Sequence, residues 1–167
     1  DLGRDAICAA LAQYDGIGCK TLITDLVDSK VGGSVSENLN IIYSSGKDYI
    51  ASFSTTVFDA YAQGDAVAEE IINKNADRLS LLINSAARQF DCGPAVLLSG
   101  GVVTKQPVYQ EALLARIDRD LKPIICNTPQ ICGAAINCCR LFTGTGELLR
   151  EKIIKSYKEF INKETGK

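Results

Sequence analysis

The chain has 167 residues, of which 46% are hydrophobic and 23% are charged, and its formal net charge is −2. This length fits one domain with a sizeable core, and the balanced charge excludes the extended basic surface that binds nucleic acid or anionic membranes. No uninterrupted apolar run reaches the roughly 20 residues of a membrane helix, and the first residues lack a signal-peptide pattern. We therefore expect a cytoplasmic globular protein without nucleic-acid or membrane partners.

The sequence begins at Asp1 and contains no Met, His or Trp. We expect it to be a segment of a longer protein, so that part of an active site would lie outside it. Seven cysteines, an odd number, without a secretory signal indicate reduced thiols. These cysteines are Cys8, Cys19, Cys92, Cys126, Cys132, Cys138 and Cys139.

Apolar residues at helical spacing predict helices throughout the first half of the chain. The predicted helices are Asp1–Tyr14, a helix capped by Thr21 that continues through Val27 and ends near Gly32, Glu37–Tyr43, Lys47–Ala62 and Asp65–Phe90. In the longest of them, Asp65, Glu69 and Glu70 occupy the first turns, where the helix dipole favours negative charge. We interpret these carboxylates as helix-end stabilisers rather than as acid–base catalysts.

In the second half of the chain, short strands alternate with helices. The predicted elements are the strand Ala95–Leu98, the helix Val108–Arg119, the strand Pro123–Cys126, the helices Pro129–Phe142 and Gly146–Asn162, and a tail after Lys163 that frays. A strand–helix–strand unit predicts a parallel pair with a right-handed crossover. Because two short strands do not form an independently stable sheet, we expect missing strands or a partner to complete it.

Small residues follow both predicted strands. Ser99, Gly100 and Gly101 come directly after the first strand, and Gly133 and Ala134 lie at the start of the helix after the second. Ligands of α/β domains bind at the carboxyl ends of the strands, where glycine lets the backbone approach them. The same pattern also fits a tight turn or close helix packing. With that alternative open, these five residues are the candidate nucleotide-binding residues.

Two other motifs invite a functional interpretation. Cys126, Cys132, Cys138 and Cys139 are candidate ligands of a metal ion or an iron–sulfur cluster, but their spacing contains no C-x2-C pair and the chain has no His. We interpret them as small buried hydrophobic residues. The segment Gly18-Cys19-Lys20-Thr21 ends like a phosphate-binding P-loop but lacks its spacing, which favours a loop and a helix cap.

Several short motifs occur in a recognisable order. They are Leu2-Gly3-Arg4-Asp5-Ala6, Tyr14-Asp15-Gly16 with Thr21 and Leu22, Gly64-Asp65 with Ala68, Ser99-Gly100-Gly101-Val102, and Pro129 with Gly133-Ala134-Ala135. In this order and spacing they resemble the C-terminal half of the BadF/BadG/BcrA/BcrD ATPase family, whose relatives include N-acetylglucosamine kinase. The resemblance leaves the last predicted helix unmatched.

The resemblance implies a helix-rich α/β fold, the C-terminal, nucleotide-side lobe of an actin-like ATPase (ribonuclease H-like) domain that lacks its first strands. This lobe would cover residues 1–143, and an amphipathic helix with a frayed tail would cover residues 144–167. ATP and Mg²⁺ are the implied cofactors, with Ser99, Gly100, Gly101, Gly133 and Ala134 beside the adenosine. In the family, the phosphate-gripping loops and the catalytic carboxylate lie upstream, so no catalytic residue is implied here. Family kinases often pair through this lobe, which implies a homodimer.

Three functions are compatible with these features. The leading expectation is the nucleotide-binding lobe of an ATP-dependent kinase for an amino sugar such as N-acetylglucosamine or glucosamine, which would bind through a missing N-terminal lobe. The first alternative is an ATPase activator that couples hydrolysis to iron–sulfur electron transfer, which the cysteines favour. The second is a non-enzymatic helical assembly or regulatory module with an exposed stripe of Tyr157, Phe160 and Ile161, a stripe that we expect instead to dock on the domain's own core.

Overall fold

The computed structural model describes residues 1–90 and 93–165, with side chains up to residue 163. The helices are α1 (Leu2–Tyr14), α2 (Leu22–Val31), α3 (Leu39–Ser44), α4 (Gly46–Ser52), α5 (Ser54–Tyr61), α6 (Ala66–Gln89), α7 (Gly101–Lys105), α8 (Pro107–Leu114), α9 (Gln130–Thr143) and α10 (Gly146–Thr165). The strands are β1 (Ala95–Leu98) and β2 (Lys122–Ile125). Within these described ranges, no helix is both long enough and apolar enough to cross a membrane.

The chain divides into two compact units. Unit 1 consists of Asp1–Pro94 and Gln106–Leu121, and unit 2 consists of Ala95–Lys105 and Lys122–Lys167. The division expected from the sequence, at residue 143, marks the extent of a motif match rather than of a compact body, and it stays a prediction.

Unit 1 is built around α1, which packs against α2, α4, α5 and α6, while α6 also packs against α8. Alanines of α1, α5 and α6 lie at these contacts and are fully buried, and their small side chains let the helices approach closely; they are Ala6, Ala10, Ala60, Ala68 and Ala76. Larger apolar side chains fill the remaining core; the fully buried ones in this unit are Ile23, Val27, Val35, Ile42, Phe53, Val57, Ile72 and Leu113.

Gly3 marks the closest approach of α1 to its neighbours. A Cβ atom at this position would overlap the carbonyl oxygen of Ile50 in α4 and lie 3.1 Å from the main-chain nitrogen of Ser54 in α5. Both neighbours are backbone atoms, which cannot move aside as a flexible side chain does. Only glycine therefore allows α1 to pack at this distance.

Two polar side chains connect the starts of α2 and α6. Asp65 caps α6 by accepting a hydrogen bond from the Ala68 N–H at 2.9 Å, and it also accepts from the Leu22 N–H at 2.7 Å and the Thr21 hydroxyl at 2.9 Å. Thr21 in turn caps α2 by accepting from the Ile23 N–H at 3.1 Å. The predicted cap at Thr21 is confirmed, and Asp65 is, as predicted, a helix-end stabiliser, which also joins two helices.

We expect Asp65→Ala to lower the free energy of unfolding by about 2 kcal/mol near neutral pH, because a cap and two cross-helix hydrogen bonds are lost. Partial burial raises the pKa of Asp65, but hydrogen bonds, chiefly from Ala68, Leu22 and Thr21, outweigh this effect and hold the pKa below its ordinary value of 3.8. A carboxylate with a lowered pKa stabilises the fold above its unfolded-state pKa and loses that contribution as pH falls through the folded-state pKa. The difference between wild type and variant in urea unfolding should therefore shrink below about pH 4.

Asp59→Ala is the matched control for this measurement, since Asp59 is exposed on α5. We expect it to change the free energy of unfolding by less than about 0.5 kcal/mol at every pH. Equal losses in the two variants, or a difference that grows in acid, would contradict the role assigned to Asp65.

The predicted helix Lys47–Ala62 is wrong as a single element, because Phe53 separates α4 from α5. Hydroxyl groups beside the break compete for main-chain carbonyl oxygens: Ser52 donates to the Tyr49 carbonyl at 2.6 Å, and Thr56 donates to the Phe53 carbonyl at 2.7 Å. Such local bonds weaken the regular ladder of a helix. The apolar periodicity was nevertheless informative, since Phe53 is fully buried.

The predicted helix Val108–Arg119 also differs from the structure. Helical structure begins directly after the first strand as α7, and α8 starts at Pro107 and ends at Leu114. Pro107 has no N–H with which to continue α7, but its fixed φ suits the first position of a new helix. The predicted helix Glu37–Tyr43 begins later, at Leu39.

Unit 2 contains the sheet together with α7, α9 and α10. Strands β1 and β2 pair in parallel with Leu97 opposite Ile124, which confirms the predicted pairing; the hand of the crossover stays a prediction. Both side chains are more than half exposed, Leu97 by 66% and Ile124 by 52%. One face of this small sheet is thus apolar and open to solvent in the part of the chain that the structure describes.

Helices α9 and α10 pack against each other, and Gly146 sets their closest approach. A Cβ atom on Gly146 would lie 2.5 Å from the Ile136 carbonyl oxygen and 2.8 Å from the Arg140 nitrogen. This crossing fixes the direction in which α10 leaves α9. The helix continues past the predicted end at Asn162 to Thr165, and the part of the predicted fraying that concerns residues 166–167 lies outside the described residues.

Candidate functional site

The carboxyl ends of the two parallel strands lie at the same edge of the sheet. Pairing continues one residue beyond β2, where the Cys126 N–H donates to the Leu98 carbonyl at 2.8 Å. Directly after the strands, the Gln130 side-chain amide donates to the Ser99 hydroxyl at 3.3 Å. The segment 99–101 and the start of α9 therefore lie close together.

Two adjoining cavities open at this edge. The polar cavity has a volume of about 290 Å³ and is lined by Ser99, Gly100, Gly101, Thr104, Lys105, Cys126, Asn127, Thr128, Pro129, Gln130 and Tyr157. The apolar cavity has a volume of about 310 Å³ and is lined by Leu97, Ser99, Cys126, Thr128, Pro129, Gln130, Gly133, Ile136, Arg150 and Ile154. Together they form a strand-end cleft in the size range of small-molecule sites.

The charges in the strand-end cleft are all positive. Lys105 and Arg150 are the charged side chains among the lining residues, and none of those residues is an aspartate or a glutamate. The whole chain carries 20 acidic residues and only 18 basic ones. Arg150 has one weak ion pair, with Glu147 at 4.0 Å, and both side chains are more than half exposed. A lining with cations and no carboxylates favours an anionic ligand.

The glycines of the cleft differ from the packing glycines of this fold. At Gly101 and Gly133 an added Cβ atom would meet nothing within 4 Å, and neither residue has a positive φ. Gly100 also faces open space, although its φ of +116° gives it a role in the turn. By contrast, Gly3 and Gly146 are required by backbone atoms of a neighbouring helix. Neither a turn nor close packing explains Gly101 and Gly133, and both residues are exposed at the cleft.

The motifs of the family resemblance that lie outside the cleft have structural roles. The Asp5 carboxylate accepts a hydrogen bond from the Asn75 amide at 2.8 Å and pairs with Arg78 at 3.1 Å, which joins α1 to α6. The Tyr14 hydroxyl donates to Asp28, which joins α1 to α2. Asp65 caps α6, as described above. These motifs stabilise the packing of unit 1, so their roles are structural rather than catalytic.

The candidate binding residues are divided between the two cavities. Ser99 lines both cavities, Gly100 and Gly101 line the polar cavity, Gly133 lines the apolar one, and Ala134 lines neither. Their role in nucleotide binding stays a prediction. Sequence reasoning did not include the lining residues Lys105, Asn127, Thr128, Arg150 and Tyr157. The helical spacing of 150, 154 and 157 was the signal that could have found the contribution of α10.

The cysteines that the structure describes do not form a common cluster. Cys132 is buried, Cys126 and Cys139 are half-buried, and Cys138 is exposed, so the expected burial holds only in part. Cys92 lies outside the described residues. Within residues 1–90 and 93–165, no three His, Cys, Asp or Glu side chains are placed to hold a metal ion together.

Comparison with known proteins gives one partial similarity. No known protein family's profile and no solved structure matches the chain. Over 88 residues the chain is 38% identical to an N-acetylmuramic acid/N-acetylglucosamine kinase of Clostridium acetobutylicum. The aligned stretch is 51% of this chain and 29% of that kinase, so the chain spans less than a third of the relative's length. The similarity supports a relationship to sugar kinases and is silent on substrate.

Proposed function

We propose that this chain is the nucleotide-binding lobe of an ATP-dependent amino-sugar kinase, with N-acetylglucosamine or glucosamine as the phosphoryl acceptor. The observation that carries this proposal is the strand-end cleft, where Gly101 and Gly133 face open space and the charged groups are both cations. The partial similarity to an N-acetylmuramic acid/N-acetylglucosamine kinase supports a sugar-kinase function in general. The fold proposed with this function is the C-terminal lobe of an actin-like ATPase in a cytoplasmic enzyme that forms homodimers.

The lining residues fit the parts of a nucleotide. Gly101 and Gly133 have no Cβ atom, so a flat base or a ribose can lie directly against the backbone. Lys105 and Arg150 can neutralise the charge of the phosphates, and Ser99, Asn127, Thr128 and Gln130 offer hydrogen-bonding groups to the sugar and base. Bound ATP supplies the transferable phosphoryl group.

Catalysis of phosphoryl transfer needs more than this cleft provides. The transition state is stabilised mainly by positioning and by neutralisation of charge around the phosphates and Mg²⁺. Because no carboxylate lines the cleft, its residues do not fit a protein-ligated Mg²⁺ site or a general base for a sugar hydroxyl. The proposal therefore assigns nucleotide binding to this chain and the acceptor site to residues outside the cleft.

We expect Mg-ADP to slow the alkylation of Cys126 by iodoacetamide several-fold, because this half-buried thiol lines both cavities. The rate at each cysteine is read by mass spectrometry of peptides after a time course. Cys8 and Cys19 are exposed in unit 1 and serve as internal controls whose rates should not change.

This measurement tests the nucleotide site separately from the sugar-kinase activity. An unchanged rate at Cys126 in saturating Mg-ADP would overturn the nucleotide site. Protection of Cys126, together with no hexosamine-stimulated release of ADP from Mg-ATP by the protein that carries this sequence, would keep the nucleotide site and overturn the sugar kinase.

A further inference from the structure

Helix α10 presents one face to the strand-end cleft. Arg150, Ile154 and Tyr157 follow one another at intervals of four and three residues, so they lie on the same side of the helix. All three line the cleft, Tyr157 in the polar cavity and the other two in the apolar cavity. The close crossing at Gly146 fixes the direction of α10, which holds this face in place.

Tyr157 is the only aromatic residue in the lining of either cavity. Its side chain is half-buried, and its hydroxyl has no hydrogen-bond partner among the residues that the structure describes. It borders the same cavity as Ser99, Gly100 and Gly101. A flat ring and a backbone stretch without Cβ atoms on the border of one cavity are suited to hold a planar group between them.

We propose that Tyr157 is the aromatic wall of the nucleotide site and stacks on the base, with the backbone of Gly100 and Gly101 on the opposite side. This inference rests on the proposed nucleotide site and adds a binding residue to it. Stacking on an aromatic ring tolerates different bases, because every base has a π-face. The site therefore selects for a planar base through Tyr157, and for a charged tail through Lys105 and Arg150.

The helix provides a matched control in Phe160. This aromatic residue lies on the same helix, is 58% exposed and lines neither cavity. The apolar stripe expected on α10 is thus divided, since Tyr157 and Ile161 are half-buried while Phe160 faces solvent. Changes at Phe160 test for general effects of altering an aromatic residue on α10.

The test measures dissociation constants for Mg-ADP, adenosine and pyrophosphate by calorimetry. We expect Tyr157→Ala to weaken the binding of Mg-ADP and of adenosine by about ten-fold each, because the contact with the base is lost. The affinity for pyrophosphate should stay unchanged, since pyrophosphate has no base. Tyr157→Phe should bind as wild type does, since the ring and not the hydroxyl stacks. Phe160→Ala should also bind as wild type does. Equal affinities in Tyr157→Ala and Phe160→Ala would overturn the inference while leaving the nucleotide site in place.

A fluorescence measurement keeps the inference testable if Tyr157→Ala does not fold. The chain contains no Trp, so Tyr157→Trp and Phe160→Trp each introduce a single indole. We expect adenosine and Mg-ADP to quench the indole at position 157 and not the one at position 160. No change at position 157, with Cys126 still protected by Mg-ADP, would overturn the inference alone. If wild type binds neither ligand, the inference and the nucleotide site both fail.

Discussion

Gly3→Ala is expected to lower the free energy of unfolding by about 3 kcal/mol, whereas Gly133→Ala is expected to raise it by about 0.5–1 kcal/mol. The added methyl group at Gly3 would overlap the Ile50 carbonyl oxygen, and α1 could accommodate it only by moving away from α4 and α5. At Gly133 the methyl group would meet nothing within 4 Å, and alanine is the better helix former inside α9. The same substitution thus has opposite effects at two helical glycines.

Urea unfolding followed by circular dichroism gives both values, and calorimetry with Mg-ADP gives the functional consequence. If the space in front of Gly133 is reserved for the nucleotide, Gly133→Ala should bind Mg-ADP more weakly in spite of its greater stability. A stabilised variant with unchanged affinity would mean that Gly133 does not contact the ligand. A destabilised Gly133→Ala would show that the residue has a packing role, which would remove part of the argument for the site.

Removing both cations of the strand-end cleft should weaken the binding of Mg-ADP by about a hundred-fold, which corresponds to about 2.7 kcal/mol. The double variant Lys105→Gln and Arg150→Gln removes both charges and leaves a polar side chain at each position. Adenosine has no phosphate, so its dissociation constant should change little. The affinity of the wild type for Mg-ADP should also fall with added salt, and that dependence should be smaller in the variant.

A second double variant controls for the net charge of the protein. Lys155→Gln with Lys158→Gln removes the same number of charges from exposed positions on α10 that line neither cavity. We expect it to bind Mg-ADP within about two-fold of wild type, because exposed charges at a distance are screened by salt. Equal losses in the two double variants would mean that long-range charge, and not contact in the cleft, governs binding.

Local signals in the sequence were sufficient for most of the helices. Thr21 and Asp65 mark helix starts because their side chains cap nearby N–H groups, and that interaction spans only a few residues. The break at Phe53 was missed because apolar periodicity continues through it, while the hydroxyl groups that interrupt the ladder act independently of that pattern. The short helix α7 was missed because a glycine at a helix start carries little propensity.

The candidate site was also predictable in part, because local sequence signals mark some of its residues. Ser99, Gly100, Gly101 and Gly133 follow strands, and the edge at which strands end can be found from the sequence. Lys105, Arg150 and Tyr157 reach the cleft only through the placement of α7 and α10 in unit 2. The spacing of residues 150, 154 and 157 indicates a shared helix face, but the sequence does not show what that face contacts. Ala134 lines neither cavity, because neighbouring residues on a helix point to different sides, and its role in nucleotide binding stays a prediction.

Unit 1 is interrupted along the chain, because its last helix, α8, follows a segment that belongs to unit 2. During synthesis, α6 leaves the ribosome before α8, the helix that packs against it. Unit 1 cannot complete its core until residue 121 has emerged, and a chain ending at residue 94 would lack the buried side chains of Tyr109, Leu113 and Ile117. Each unit consists of two separate segments of the chain. Recombination between relatives would therefore need more than one crossover to exchange either unit intact.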